Sequence, residues 1–131
     1  MPESDLSRLL KNMSPELVPG SFVFTILPEE HHPELEVLAS VKEAEGLSVV
    51  IAQVDADRMG LDYDFVAAWI TLRVNSALEA VGLTAAVSSA LTAEGISCNV
   101  IAGLNHDHLL VPVDEAGAAM WALRRLSVDP Q

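Results

Sequence analysis

Hydrophobic positions change their period several times along this chain, and each change marks an element. Leu6, Leu9, Leu10 and Met13 recur at helical spacing behind Ser4, a residue suited to cap a helix, and Pro15 limits the extension, so a short packing arm is expected. Pro19-Gly20 then reads as a turn into residues 22–27. There both alternating faces are apolar, the mark of a strand covered on both sides. Residues 28–36, rich in Pro, Glu and His and without a period, read as a loop. Residues 37–42 and 47–53 form a predicted hairpin around Glu43-Ala44-Glu45-Gly46. Asp55 is placed to cap a short helix that Gly60 stops.

The second half is more regular. Residues 65–74 form a long predicted strand with Val66, Ala68, Ile70, Leu72 and Val74 on one face and Trp69, Thr71 and Arg73 on the other. After a turn of small and polar residues, Leu83, Val87, Ala90 and Leu91 make an apolar stripe that must face a sheet. Gly82, Ala85, Ala86 and Ser89 lie on a neighbouring face, where their lack of bulk lets another backbone or a ligand approach. Gly95 ends that helix. Ile96, Cys98, Val100 and Ala102 alternate with Ser97, Asn99 and Ile101 as a strand does, and residues 109–113 supply its hairpin partner. Asp114 is placed to cap a last helix whose stripe is Ala116, Ala119, Met120, Leu123 and Leu126.

The resulting order, βαββα, opens a ferredoxin-like unit. Val54-Asp55-Ala56-Asp57 echoes Val113-Asp114-Glu115-Ala116, a weak internal repeat that divides the chain into residues 1–63 and 64–131. The second copy lacks a closing strand. Either a strand of the N-terminal half closes its sheet or another chain does, and an open edge would favour a homodimer. The turn before Gly82 leads into a helix N-terminus, where unpaired N–H groups and the helix dipole suit a carboxylate. Ser76-Ala77-Leu78-Glu79 also spells a capping box, on which reading the helix starts earlier and its polar groups only cap it.

These residues resemble a known family. The run Leu78-Glu79-Ala80-Val81-Gly82-Leu83-Thr84-Ala85-Ala86, then Gly95-Ile96-Ser97, Asn99-Val100-Ile101-Ala102-Gly103, His106-Asp107-His108 and Val111-Pro112, is similar to a bacterial family of small tandem ACT-domain proteins. The likeness extends more loosely through Glu45-Gly46-Leu47 and Asp55-Ala56-Asp57, and it reaches distantly to the ACT pairs of animal arginine sensors. The resemblance implies an α+β fold of tandem ACT-like units, each a ferredoxin-like βαββαβ with helices packed on one face of an antiparallel sheet. It implies a ligand class, an amino acid, rather than an activity. Carried over residue by residue, Asn75, Ser76, Gly82, Leu83, Thr84, Cys98 and Asn99 take the ligand-binding positions. Ala77 departs from the pattern, since relatives often carry a second serine there.

Composition narrows the classes. Half of the 131 residues are hydrophobic, which excludes a disordered chain, and the apolar runs are too short and interrupted to cross a bilayer. Pro2-Glu3-Ser4-Asp5 has no secretory character, and the single Cys98 cannot form an internal disulfide, so a cytoplasmic setting is expected. Nineteen acidic residues against seven basic ones give a net charge of −12, a surface that repels phosphates. Arg124 and Arg125 are too small a patch for nucleic acid. His106-Asp107-His108 offers two imidazoles but lacks the third ligand and spacing of zinc patterns, and His31-His32 could complete a set only if the fold brought them together. Polar turn chemistry is therefore the reading there. No Gly-x-Ser-x-Gly elbow or phosphate-cradling loop appears, so neither a catalytic residue nor a cofactor is expected. The leading expectation is a non-catalytic regulatory module that binds an amino acid and forms a homodimer through a sheet edge or the Gly82, Ala85 and Ser89 face. The alternatives are a dimerisation module without ligand and a metal-assisted hydrolase using His106 and His108.

Overall fold

The computed structural model describes residues 5–27 and 34–128. Its elements, in chain order, are α1 (Leu6–Lys11), β1 (Pro15–Leu27), β2 (Ala39–Glu43), β3 (Gly46–Ala52), α2 (Gln53–Met59), β4 (Val66–Leu72), α3 (Leu83–Ala93), β5 (Asn99–Ala102), β6 (Asp107–Pro112) and α4 (Ala116–Val128), with a 3₁₀ turn over Val113–Glu115. They fall into two compact units, one formed by Gly20–Ala67 and the other by Met1–Pro19 with Ala68–Gln131. No helix among the described residues is long and apolar enough to cross a membrane.

In the unit Gly20–Ala67, β1 pairs antiparallel with β3 from Phe22↔Ala52 to Leu27↔Leu47, and β2 pairs antiparallel with β3 from Ala39↔Val50 to Glu43↔Gly46. The predicted hairpin thus closes through Ala44 and Glu45. Val23, Leu27, Leu35, Val49, Ile51 and Ala56 form the core of this unit. Two sequence expectations fail locally. Asp55 does not cap α2, because β3 runs directly into the helix and Ala52 takes the capping position; Asp55 sits in the first turn and pairs with Arg58 at 3.2 Å. Pro19-Gly20 is not a turn, since β1 continues through Gly20 at φ 103° and begins already at Pro15. A hydrogen-bonded chain ties α2 down: Ser21 Oγ donates to Gln53 Oε1 (2.8 Å), Gln53 Nε2 to Tyr63 Oη (3.0 Å), and Tyr63 Oη to Asp57 Oδ1 (2.6 Å).

The other unit holds the larger core. Ala68, Ile70 and Leu72 of β4, Leu83, Val87 and Leu91 of α3, Leu109 and Val111 of β6, and Ala119, Met120, Leu123 and Leu126 of α4 share one cluster. These are the stripes read from the sequence. The N-terminal arm belongs to the same core, with Leu9, Leu10 and Met13 at most 2% exposed. Each such side chain contributes about 1.5–3 kcal/mol by burial, so the arm is a structural member of this unit. Its cap is Asp5, whose carboxylate accepts from Arg8 N–H at 3.2 Å, while Ser4 lies outside the described residues.

Strands in this unit lie in the order β1, β4, β6, β5. Arg73 N–H donates to the Ser14 carbonyl (3.2 Å) and Val74 N–H to that of Met13 (3.3 Å), so the segment leading into β1 runs along the end of β4. The flank of β4 that the sequence left open is closed by the chain itself. β5 pairs antiparallel with β6 from Asn99↔Leu110 to Ala102↔Asp107, a shorter strand than the alternation from Ile96 predicted. Asp114 lies inside the 3₁₀ turn and makes no side-chain cap, because the turn starts directly from Pro112.

Candidate functional site

Residues 75–82 join β4 to α3 without being helical. Ala80 N–H donates to the Ala77 carbonyl (3.0 Å) to close a turn, and α3 starts only after Gly82, which has φ 103°. A left-handed residue cannot sit inside a right-handed helix, so the capping-box reading of Ser76 to Glu79, with an earlier helix start, is overturned. Gly82 offers no side chain to cap the first turn of α3. Its carbonyl accepts from Ala86 N–H at 2.8 Å, which leaves the N–H groups of Leu83, Thr84 and Ala85 as the free donors that every helix start presents.

Beside that helix start lies a cleft of about 90 Å³, to which Ser76, Leu83, Thr84, Ala102 and Asp107 contribute. One water needs roughly 10–15 Å³ of such space, so the cleft has room for a small polar head group. Ser76, 9% exposed, points its Oγ at Asp107 Oδ2 across 3.4 Å, longer than the roughly 2.5–3.0 Å usual for an O–H···O bond and therefore a weak contact. A carboxylate and a hydroxyl therefore face an uncapped helix N-terminus across a small space.

Of the seven residues carried over from the resemblance, Ser76, Leu83 and Thr84 line this cleft, while Asn75, Gly82, Cys98 and Asn99 do not. Gly82 faces the Leu6 side chain instead, and an added Cβ would lie 3.0 Å from Leu6 Cδ2. Cys98 packs against the core, where burial pushes its thiol up from the ordinary value, and Asn99 opens β5 opposite Leu110. The sequence reading missed Asp107. A signal was present: Leu109 and Val111 face the core, and the same alternation run backwards puts Asp107 on their side, toward α3.

The histidines flanking Asp107 engage different groups. His106 Nδ1 donates to the Val74 carbonyl at 3.4 Å. His108 Nδ1 lies 3.0 Å from Thr71 Oγ1 and accepts from Trp69 Nε1 at 3.2 Å, with the two rings tilted at 5.4 Å between centroids. An indole N–H only donates, so this contact fixes the neutral imidazole with its proton on Nε2. Burial accordingly lowers the His108 pKa, reinforced by His106 and Arg73 and opposed by Asp107. Among the described residues no three His, Cys, Asp or Glu side chains gather as a metal-holding group, and His31 and His32 lie outside them.

Two sequence profiles, both described as ACT domain, match residues 1–68 and 65–125. The chain therefore belongs to the ACT-domain family, as two ACT domains in tandem with the ferredoxin-like α+β fold. Among solved structures it is 42% identical to a Vibrio cholerae protein of unknown function described as a possible transport protein, over 93% of this chain and 95% of that one, with a TM-score of 0.85. A protein from Agrobacterium tumefaciens shares the fold at 20% identity, over 86% and 87% of the two chains, with a TM-score of 0.67. So does the regulatory subunit of aspartate kinase from Thermus thermophilus, in its ligand-free form, at 10% identity, over 88% and 97%, with a TM-score of 0.65. No curated protein matches.

Proposed function

We propose that this chain is a non-catalytic regulatory module that binds a free amino acid in the cleft between residues 75–84 and the start of β6. The observation that carries the reading is the Asp107 carboxylate beside Ser76, facing the uncapped start of α3. An α-carboxylate suits the N–H groups of Leu83 and Thr84, and an α-ammonium suits Asp107 and Ser76. A zwitterion thus meets both charges of the cleft in their proper order. The likeness to an aspartate kinase regulatory subunit supports a regulatory role, and the division into residues 1–63 and 64–131 as two ACT-like units follows the same reading.

A thermal-shift screen of the common amino acids tests it. The expected ligand raises apparent stability by about 2.7 kcal/mol at a hundredfold excess over its dissociation constant. Asp107→Asn keeps the shape, removes the charge and is expected to lose most of that gain, and the matching 2-hydroxy acid should give little with the native chain. If no amino acid raises the melting temperature, the reading falls. Asp107 is the better probe than Gly82, whose substitution would strain the backbone and crowd Leu6 whether or not a ligand binds.

We propose in addition a homodimer through β5, the outer strand of its unit. The open-edge argument at β4 has lost its force, because β1 occupies that flank. β5 has only four residues, so few main-chain bonds can form and the dimer should dissociate on dilution. Light scattering that gives the monomer mass at every concentration would exclude it.

A further inference from the structure

Residues 75–82 belong to none of the helices and strands, yet they must hold Ser76 and the start of α3 in place against Asp107. Both ends of this loop are held by the N-terminal arm. At its entry, Arg73 N–H donates to the Ser14 carbonyl (3.2 Å) and Val74 N–H to that of Met13 (3.3 Å). At its exit, the Leu6 side chain sits on Gly82, so that a Cβ built there would lie 3.0, 3.6 and 3.8 Å from Leu6 Cδ2, Cδ1 and Cγ. Leu9 and Leu10, between the two contacts, are anchored in the core.

The backbone is unusual at both points. Ser14, at φ 45°, is the one non-glycine residue with positive φ among those described. Left-handed backbone is strained for a residue with a Cβ, and here it accompanies the carbonyl that meets Arg73. Gly82, at φ 103°, turns a Cα without a side chain toward Leu6, and its carbonyl accepts from Ala86 N–H in the first turn of α3. The arm therefore touches the loop where its path is decided.

We propose that the arm positions the amino-acid cleft and that Leu6 is the positioning residue. The inference rests on the reading of that cleft as an amino-acid site. Leu6 does not line the cleft, so it acts through Gly82, by holding the left-handed turn that sets the direction of the Leu83 and Thr84 N–H groups. Without that side chain, Gly82 has the widest choice of backbone conformations, and hydrogen bonds from the helix start weaken steeply as they leave line with a carboxylate. Packing alone is already served by Leu9, Leu10 and Met13, all buried, whereas Leu6 lies only partly buried at the margin of the core. Coupling of this kind is reciprocal: an occupant of the cleft steadies the docked arm by the same factor. The arm is then the element through which occupancy is passed on.

The experiment uses the full chain and, as the probe, an equimolar mixture of the common L-amino acids, titrated calorimetrically at a temperature where circular dichroism shows each variant folded. Leu6→Ala is expected to raise the apparent dissociation constant by about fivefold or more. Leu6→Met, which conserves volume, should restore it to within about twofold of the native value. Leu6→Val, a smaller cut, supplies an intermediate value whether or not Leu6→Ala folds. A merely structural role would lower the melting temperature of these variants and leave the dissociation constant of the folded chain unmoved. If the mixture binds the native chain and the Leu6 variants equally, or if Leu6→Met binds as poorly as Leu6→Ala, the positioning role is overturned while the amino-acid reading stands. If the mixture does not bind the native chain, both are overturned.

Discussion

The imidazole of His108 shows how a single contact fixes a protonation state. Trp69 can only donate and Thr71 can rotate to donate, so both favour the neutral ring, and burial works in the same direction. A histidine whose pKa lies lower when folded binds fewer protons folded than unfolded, so its contribution to stability is present above the ordinary value of 6.5 and is lost as pH falls from there toward the folded value. Urea titrations of the native chain are expected to give stability that declines as pH drops below that point, with His108→Asn reducing the decline. A pH slope identical in the two proteins would contradict the assignment. At this scale the sequence was least legible. Asp107 was visible between its histidines, but it gains its meaning from Ser76, thirty-one positions away, which no local period encodes. Asp55 and Asp114 carried the chemistry of caps, yet the backbone entered each helix elsewhere.

Elements were more legible, because a helix stripe and its stops are local. Leu83, Val87 and Leu91 are buried as their spacing requires, and Gly95 ends α3 at φ 73°. Gly95 N–H donates to the Thr92 carbonyl (2.9 Å) and Ile96 N–H to that of Leu91 (3.0 Å), the two bonds of a Schellman stop. An added Cβ at Gly95 would meet nothing within 4 Å, so Gly95→Ala isolates the cost of the left-handed conformation. A loss of about 1 kcal/mol is expected by thermal or urea unfolding, and no loss would mean that the turn rearranges. β1 was the element misread in extent. Proline lacks a ladder donor, so Pro15 and Pro19 look like breaks, whereas the strand tolerates both near its start.

For the whole molecule, the charge of −12 is a large net excess of like charge. Like charges repel more when the chain is compact, so added salt should raise the melting temperature before any specific ion effect appears, and a flat response below physiological ionic strength would count against this. The grouping of the arm with residues 68–131 was the part of the architecture that order along the chain concealed. Leu9 and Leu10 announce a buried face, but nothing in their spacing says which core receives them.

That grouping bears on how the protein is made. Helix α1 and the start of β1 leave the ribosome before the surfaces that bury Leu9, Leu10 and Met13, which are β4, α3, β6 and α4. Ser127 Oγ donates to the Lys11 carbonyl at 3.1 Å, so even the final turn of α4 takes part in holding the first helix. The nascent arm must therefore wait, with its leucines solvated, until α4 has emerged. A fragment spanning residues 64–131, cut at the boundary that the internal repeat suggests, would be released with a vacant seat in its core where the arm belongs.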